Sequence, residues 1–299
     1  MSDAQRELRN SIFAARQAVE RSNMGPGAVP MGQALPGTPG TRKELDIELD
    51  IVGVPLPSGG LVYPSGTSLC NAKELDIRAM TAQDENLLMN KVLVRKGTVI
   101  TELIKACLMD KTIDVGAMLS GDRNALLTMI RVTGYTKMFT AKTTCTACET
   151  SQDFEVNLLD LPYRVLDPAK IKQVEPGMNA FEFTLPNTKK VVVFKFLTGR
   201  EEERILAEID IKKKKGLMNE NLVTTRLMSC IVAIDDSTDR TYIARFVSSM
   251  PARDSLALRR HLDENEPGID MTAPFVCNNC DHSEDVPVIL NSSYLWPQK

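Results

Sequence analysis

Two Cys-x-x-Cys pairs, Cys145-Thr-Ala-Cys148 and Cys277-Asn-Asn-Cys280, constrain this chain more than any other feature of it. Each pair lies in a turn-like position between strand-like runs, with small or polar residues between its cysteines. A tight knuckle of that kind turns backbone N–H groups toward the thiolates and stabilises their charge. Four thiolates presented by two such turns are the ligand set of a closed, tetrahedral, structural zinc site. If one ion takes all four, the 128 residues between Cys148 and Cys277 become an insertion fastened at its base. The pairs of an ordinary zinc ribbon stand about 15–20 residues apart, so this spacing departs from the ribbon pattern. Hairpins remote in sequence can still meet in space.

Three other readings compete with the shared site. His282 could complete a separate Cys277/Cys280/His282 site, which leaves the first pair only Glu149 or Asp153 nearby. A redox dithiol would open a helix after a strand, and neither pair precedes a helical pattern. The last alternative is four buried cysteines without metal. The start, MSDAQRELRN, is polar and shows no secretory signal, and seven cysteines in such a chain suggest a reducing compartment. There, paired thiols hold metal more often than they form disulfides. A shared structural zinc would add on the order of 10 kcal/mol to folding.

Composition narrows the function classes. A formal charge of −3 gives no support for binding nucleic acid through a global basic field. No run approaches the roughly 18 apolar residues of a membrane span. The strongest basic run, Lys212–Lys215, shares its helix with Glu201, Glu202, Glu203, Glu208 and Asp210. It complements the helix dipole and lacks interleaved aromatics, so it reads as a solvated face. His261 and His282 are the only histidines, and neither belongs to a nucleophile motif. The chain has no acidic metal loop, phosphate loop or dinucleotide fingerprint. Catalysis is therefore disfavoured.

Along the chain, Leu8, Ile12, Ala15 and Val19 fall at helical spacing within residues 3–21, ahead of GPGAVPMGQALPGTPG at 25–40. That linker is too rich in Gly and Pro to fold, so residues 1–41 read as a docking peptide or a disordered tail. Residues 42–80 read as a β-arm. KELDI occurs twice in it with period-two alternation, and the Pro and Gly positions of 54–66 force turns. Residues 81–135 read as a bundle of three helices. Thr81 caps the first, and Ile100, Leu103, Ile104, Cys107 and Leu108 form the core stripe of the second. Cys107 is thus a packing residue. Asp122 is expected to cap the third helix, which carries Leu126, Leu127 and Ile130 and ends near Gly134.

A hairpin follows around the first cysteine pair, then strands on either side of Pro186-Asn187-Thr188, then a charged helix from Arg200 to about Lys215. A further helix is expected to carry Leu222, Leu227, Met228, Ile231 and Val232, and another to run from Arg253 to Asn265. The second pair, the apolar run Val286–Leu290 and a terminal YLWP close the chain. The expected class is α+β: a small helical bundle, a split zinc-ribbon-like β unit (136–160 and 270–299) and a mixed α/β insertion (161–269).

Several segments then coincide in order: LPSGGLVYP, MTAQDENLL, GDRNALLTMIRVTGY, TCTACE, PARDSLALRRHLDENEPGID, and CNNC closing with YLWP. Over residues 54–299 the chain resembles the tailed-phage family typified by the T-even (myovirus) baseplate hub subunit and hub-assembly catalyst. The resemblance implies a hub component or assembly chaperone of a contractile-tail baseplate, a virion structural role without catalysis. Its partners would be other baseplate and tail proteins, with no nucleic acid or membrane expected and oligomerisation within an assembly allowed. It would be located in the host cytoplasm during assembly and in the tail baseplate. Cys145, Cys148, Cys277 and Cys280 match the family's paired-cysteine positions, which carries over one structural zinc (Zn2+) per chain. Arg123 and Arg253-Asp254 match recurring polar positions, explained by burial or capping as well as by partner contact. The N-terminal extension departs from the family's short pattern. It and LPSGGLVYP are the candidate contact elements. A zinc-ribbon nucleic-acid-binding regulator is the alternative, and a thiol oxidoreductase the third.

Overall fold

The computed structural model describes residues 49–214, 222–288 and 292–295. The expected N-terminal helix and linker, the first KELDI, Lys215, the end of the Val286–Leu290 run and Trp296 lie outside those residues. The second KELDI supplies a strand, and IVGVP supplies its partner. β1 (Ile51–Pro55) and β2 (Glu74–Arg78) pair antiparallel, with Val54 opposite Leu75 and Val52 opposite Ile77. Leu75 and Ile77 point into the core while Glu74 and Asp76 face out, the alternation that marks a half-buried strand.

The loop between these strands contains LPSGGLVYP, and here the contact-element expectation is corrected. Leu56, Ser58, Val62 and Tyr63 are buried. Asp122 holds them down. Ser58 donates to its carboxylate from the backbone N–H at 2.9 Å and from Oγ at 2.6 Å, and the Tyr63 hydroxyl donates at 2.5 Å. Tyr63 also accepts the Leu119 N–H at 2.9 Å. Burial pushes the Asp122 carboxyl up from its usual range, against the hydrogen bonds from Ser58 and Tyr63. Gly60, at φ +72, makes the turn possible, since a Cβ there would fall 2.3 Å from the Ala72 nitrogen.

Four helices follow: α1 (Ala82–Leu88), α2 (Lys91–Lys96), α3 (Val99–Cys107) and α4 (Ser120–Gly134). Thr81 caps α1 as the sequence indicates, and Asp84 completes a capping box with it. α2 is an addition to the expected three, bounded by Asn90, whose side chain accepts from Val92 and Leu93, and by left-handed Gly97. Leu103, Ile104 and Cys107 are the buried stripe of α3. Asp122 does not cap α4. The cap position is Leu119, and Asp122 sits wholly buried in the first turn as the anchor just described.

Beyond the bundle come the hairpin β3 (Met138–Thr144) and β4 (Ser151–Asn157), the short strands β5 (Tyr163–Arg164) and β6 (Lys172–Gln173), then β7 (Phe181–Thr184) and β8 (Val191–Phe194). α5 (Gly199–Lys214), α6 (Leu222–Cys230), β9 (Ile231–Ile234), α7 (Arg240–Ser249) and α8 (Ala252–Asn265) follow. β10 (Gly268–Ile269), the hairpin β11 (Thr272–Val276) and β12 (Ser283–Pro287), and α9 (Ser292–Leu295) end the described chain. Strands β6-β7-β8-β9 form one antiparallel sheet in that order, and β10 pairs with β5. Ile231 and Val232, expected on a helix, instead lie on β9, where Ile231 faces Phe194 and Ile234 faces Val192. A short apolar run has no periodicity that separates a buried strand from a helix. α7 was not anticipated, although Ile243 and Val247 form its buried i, i+4 pair.

One core runs from Val54 to Leu295, and buried polar groups join segments remote in sequence. Arg123 donates to Thr101 Oγ1 at 2.7 Å and Glu203 Oε1 at 3.0 Å, tying α3, α4 and α5 together. Asp254 in α8 accepts the N–H groups of Asn187 at 2.7 Å and Thr188 at 3.0 Å and so fixes the β7–β8 turn. Arg131 donates to the Tyr294 carbonyl at 2.8 Å, anchoring the YLWP end on α4. Of the polar residues singled out by the resemblance, Arg123 and Asp254 serve internal contacts, while Arg253 is exposed.

His261 stacks on Phe183 with ring centroids 4.3 Å apart and meets Phe194 edge-on. Its Nε2 is buried without a partner. Burial lowers its pKa below 6.5 against the opposing field of Glu264. The folded site favours the neutral ring, so this contribution to stability should be complete above pH 6.5 and fall as the pH drops below it. His261→Leu should flatten that acid limb in urea denaturations run from about pH 7 to about pH 5; an unchanged slope would show that the ring does not cause it. Asp122→Ala strands three buried donors and should cost on the order of 3 kcal/mol in the same assay. A loss below about 1 kcal/mol would mean that the loop is held by something else.

Candidate metal centre

Both cysteine pairs sit on the same local structure. Cys145 directly follows β3 and Cys277 directly follows β11; each return strand begins three residues after the second cysteine, at Ser151 and Ser283. The first cysteine of each pair closes its turn with a backbone bond, Cys145 N–H to the Thr150 carbonyl at 3.0 Å and Cys277 N–H to the His282 carbonyl at 2.9 Å. The residue after the second cysteine donates back to the first cysteine's carbonyl, from Glu149 and from Asp281, each at 3.0 Å. These two residues take left-handed backbones, φ 57 and φ 56. The amides of Ala147 and Asn279 point at the Cys145 and Cys277 sulfurs, at 3.4 and 3.5 Å. The chain thus makes one knuckle twice.

Side chains lock the two knuckles together. Gln152 donates to the Val276 carbonyl at 3.2 Å and accepts the Asn278 N–H at 3.0 Å. Glu284 accepts from Thr146, at 3.2 Å from the backbone and 2.9 Å from the hydroxyl. Phe154 and Phe275 meet edge to face at 5.7 Å, over a small apolar cluster that includes Cys145, Cys277 and Val286. Sequence patterns gave no warning of Gln152 or Glu284, because their partners lie more than a hundred residues away and nothing local marks them.

The four sulfurs converge. Cys145 Sγ lies 3.7 Å from Cys280 Sγ, and Cys148 Sγ lies 3.6 Å from Cys277 Sγ. All four ligand atoms fall within 4.8 Å of one another. A tetrahedron with Zn–S bonds of about 2.3 Å has S–S edges of about 3.8 Å, whereas a disulfide needs about 2.05 Å. The four thiols are free, and the spacing suits a thiophilic ion at their centre. Among the described residues, His282 is not part of this group; its Nε2 lies 3.3 Å from Thr146 Oγ1.

The electrostatics fit the same arrangement. The Thr150 hydroxyl and backbone and the Asn279 amide lower the Cys148 pKa to about 5. Cys280 gains a lowering bond from the His282 backbone, yet its sulfur neighbours Cys148, Cys277 and Cys145, together with burial, push it up to about 12. One thiol ionises readily and the next resists, since clustered thiolates repel. A bound cation removes that repulsion and lets all four deprotonate. The other cysteines differ: burial raises Cys107 to about 11 and Cys230 to about 12, as befits inert core thiols.

The remaining singled-out residues lie away from the cluster. His261 is in the aromatic core, Arg123 and Asp254 are internal joints, and α5 continues as helix through Lys214. No helix among the described residues is long and apolar enough to cross a membrane. No curated protein and no solved structure matches the chain. A family model described as T4 bacteriophage base plate protein matches residues 63–293, well over half of the chain and inclusive of both cysteine pairs. The chain therefore belongs to the T4 bacteriophage base plate protein family.

Proposed function

We propose that this chain is a non-enzymatic component of a contractile phage tail baseplate, a hub subunit or hub-assembly chaperone that works through protein–protein contacts. Cys145, Cys148, Cys277 and Cys280 would hold one structural zinc ion. The observation that carries the reading is the family match over residues 63–293. The ion would supply a closed, non-catalytic crosslink, while the protein's part is to present the sulfurs. The two knuckles aim amides at them, Gln152 and Glu284 hold the hairpins in register, and the Phe154–Phe275 contact shields one side. On this reading residues 161–269 are an insertion carried on a fastened base.

Charge weighs against the nucleic-acid alternative. The two hairpins carry Glu149, Asp153, Glu155, Asp270, Asp281, Glu284 and Asp285 against only Lys137 and Lys142. A ribbon that tracks phosphates needs the opposite balance.

Metal analysis of purified protein should find about one zinc per chain. Cys145→Ser or Cys277→Ser should abolish it and lower the melting temperature, while His282→Ala should leave the zinc content intact. Zinc-free protein with oxidised pairs would sink the shared site and favour the oxidoreductase. Deleting residues 1–41 should leave the core's melting transition in place but weaken incorporation into tail assemblies; an unchanged assembly yield would count against a docking role for that arm. Mass spectrometry of purified virions separates the two roles, since a hub subunit stays in the particle and a chaperone leaves it.

A further inference from the structure

Helix α2 is built without a core of its own. Between Leu87 and Ile100, eight apolar residues fall within 14 positions and none is fully buried; Leu88 and Ile100 pack partly on the core, while Met89, Val92 and Val94 are exposed. Met89, Val92 and Val94 are 68%, 59% and 55% exposed. A helix this short gains almost nothing from propensity and normally owes its stability to a packed apolar face. Here Asn90 and Gly97 cap both ends, yet no residue of the helix is buried. Its charge is one-sided: Lys91, Arg95 and Lys96 are exposed, and α2 contains no acid. Lys91 and Arg95 share one face of α2, and Val92 and Val94 flank it on opposite sides; exposed apolar groups beside like charge mark a docking surface.

The same chain carries a surface of matching chemistry. On the outward face of the β11–β12 hairpin, Thr272 pairs with Pro287, Pro274 with Asp285 and Val276 with Ser283, and all six are exposed. Val276 is 56% exposed. Residues 270–288 contain Asp270, Asp281, Glu284 and Asp285 and no lysine or arginine. Pro274 and Pro287 also interrupt the donor rows of the two strands, so a partner cannot simply add a strand at the edge and must meet the face.

We propose that α2 of one copy docks on the outward face of the β11–β12 hairpin of a second copy. Lys91 and Arg95, on one face of α2, meet Asp281 and Asp285, while Val92 and Val94 to either side of them rest against Val276 and the prolines. The two patches differ, so the contact is heterologous and propagates head to tail until a ring closes or a filament grows. A six-residue helix on a short hairpin buries little area, so the contact is weak in solution and strengthens when copies are already held side by side.

The test is sedimentation of the full chain over a concentration series at low and high salt. Wild type should rise above its monomer mass of 33.1 kDa with concentration, and less so at high salt. Val92→Lys with Val94→Lys should weaken association by about tenfold or more, with an unchanged circular-dichroism melt as the control for folding. Lys91→Glu alone and Asp285→Lys alone should each weaken it, and the two together should recover it. A single 33.1 kDa species under every condition overturns the proposal, as does association that these substitutions leave untouched or that the charge swap fails to rescue. Capture of wild type by anionic lipid vesicles, lost in the Val92/Val94 variant and without self-association, assigns the face to a membrane and also overturns it.

Discussion

Two hairpin tips meet at one point, and the long middle of the chain is closed by that meeting. Cys145 and Cys280 come within 3.7 Å although 135 residues of sequence separate them. Closing so long a loop carries an entropic cost that grows only slowly with length, so a modest set of local contacts can hold it. Gln152 and Glu284 supply polar bridges, and Phe154 on Phe275 supplies an apolar one. Sulfur chemistry then decides whether the junction is neutral or charged. Without an ion the Cys148 thiol is lowered and the Cys280 thiol raised, whereas an ion at the centre would turn mutual repulsion into the strongest bond in the region. The knuckle backbone is suited to both states, because its amides already face the sulfurs.

Elsewhere the fold relies on single buried polar groups used as joints. Asp122 fastens the loop after β1 to α4, Asp254 fastens the β7–β8 turn to α8, and Arg131 fastens the last described residues to α4. Asp122 and Arg131 satisfy backbone groups inside the fold, and Asp254 holds the N–H groups of a partly exposed turn; with one partner of each pair buried, such bonds are worth more than an exposed ion pair. Such joints also specify. An apolar contact tolerates sliding, but a carboxylate that takes three donors fits in one place only. This explains how an α+β chain of short helices and small antiparallel sheets keeps a defined arrangement with few long elements.

What could be read from the sequence divides along the same line. The cap at Thr81, the stripe of α3 and the hairpins around both cysteine pairs depend on neighbours within a few residues, and their patterns were visible. The cysteine cluster was legible because residue type alone narrows what four thiols in two turns can do. Asp122 was misread as a cap, since Asp near a helix start usually is one; its true partners, Ser58 and Tyr63, lie some sixty residues earlier. LPSGGLVYP looked exposed because Gly and Pro mark surface turns, yet one buried carboxylate draws it inward. Ile231 and Val232 continued a helical pattern until β8 offered them a ladder.

The family match and the internal design both bear on the proposed baseplate role. Tyr63 presses against Asp122, Cys107 and Cys230 lie within the core, and His261 stacks between phenylalanines. Their pKa shifts come from burial and serve packing. The uncommitted chemistry lies on the outside instead, as apolar side chains on α2 beside three basic residues and as acids on the metal-centre hairpins. The proposed assembly role would use that division: a fixed interior keeps its shape while neighbours push on it, and exterior contacts that are weak alone form once the neighbours are in place.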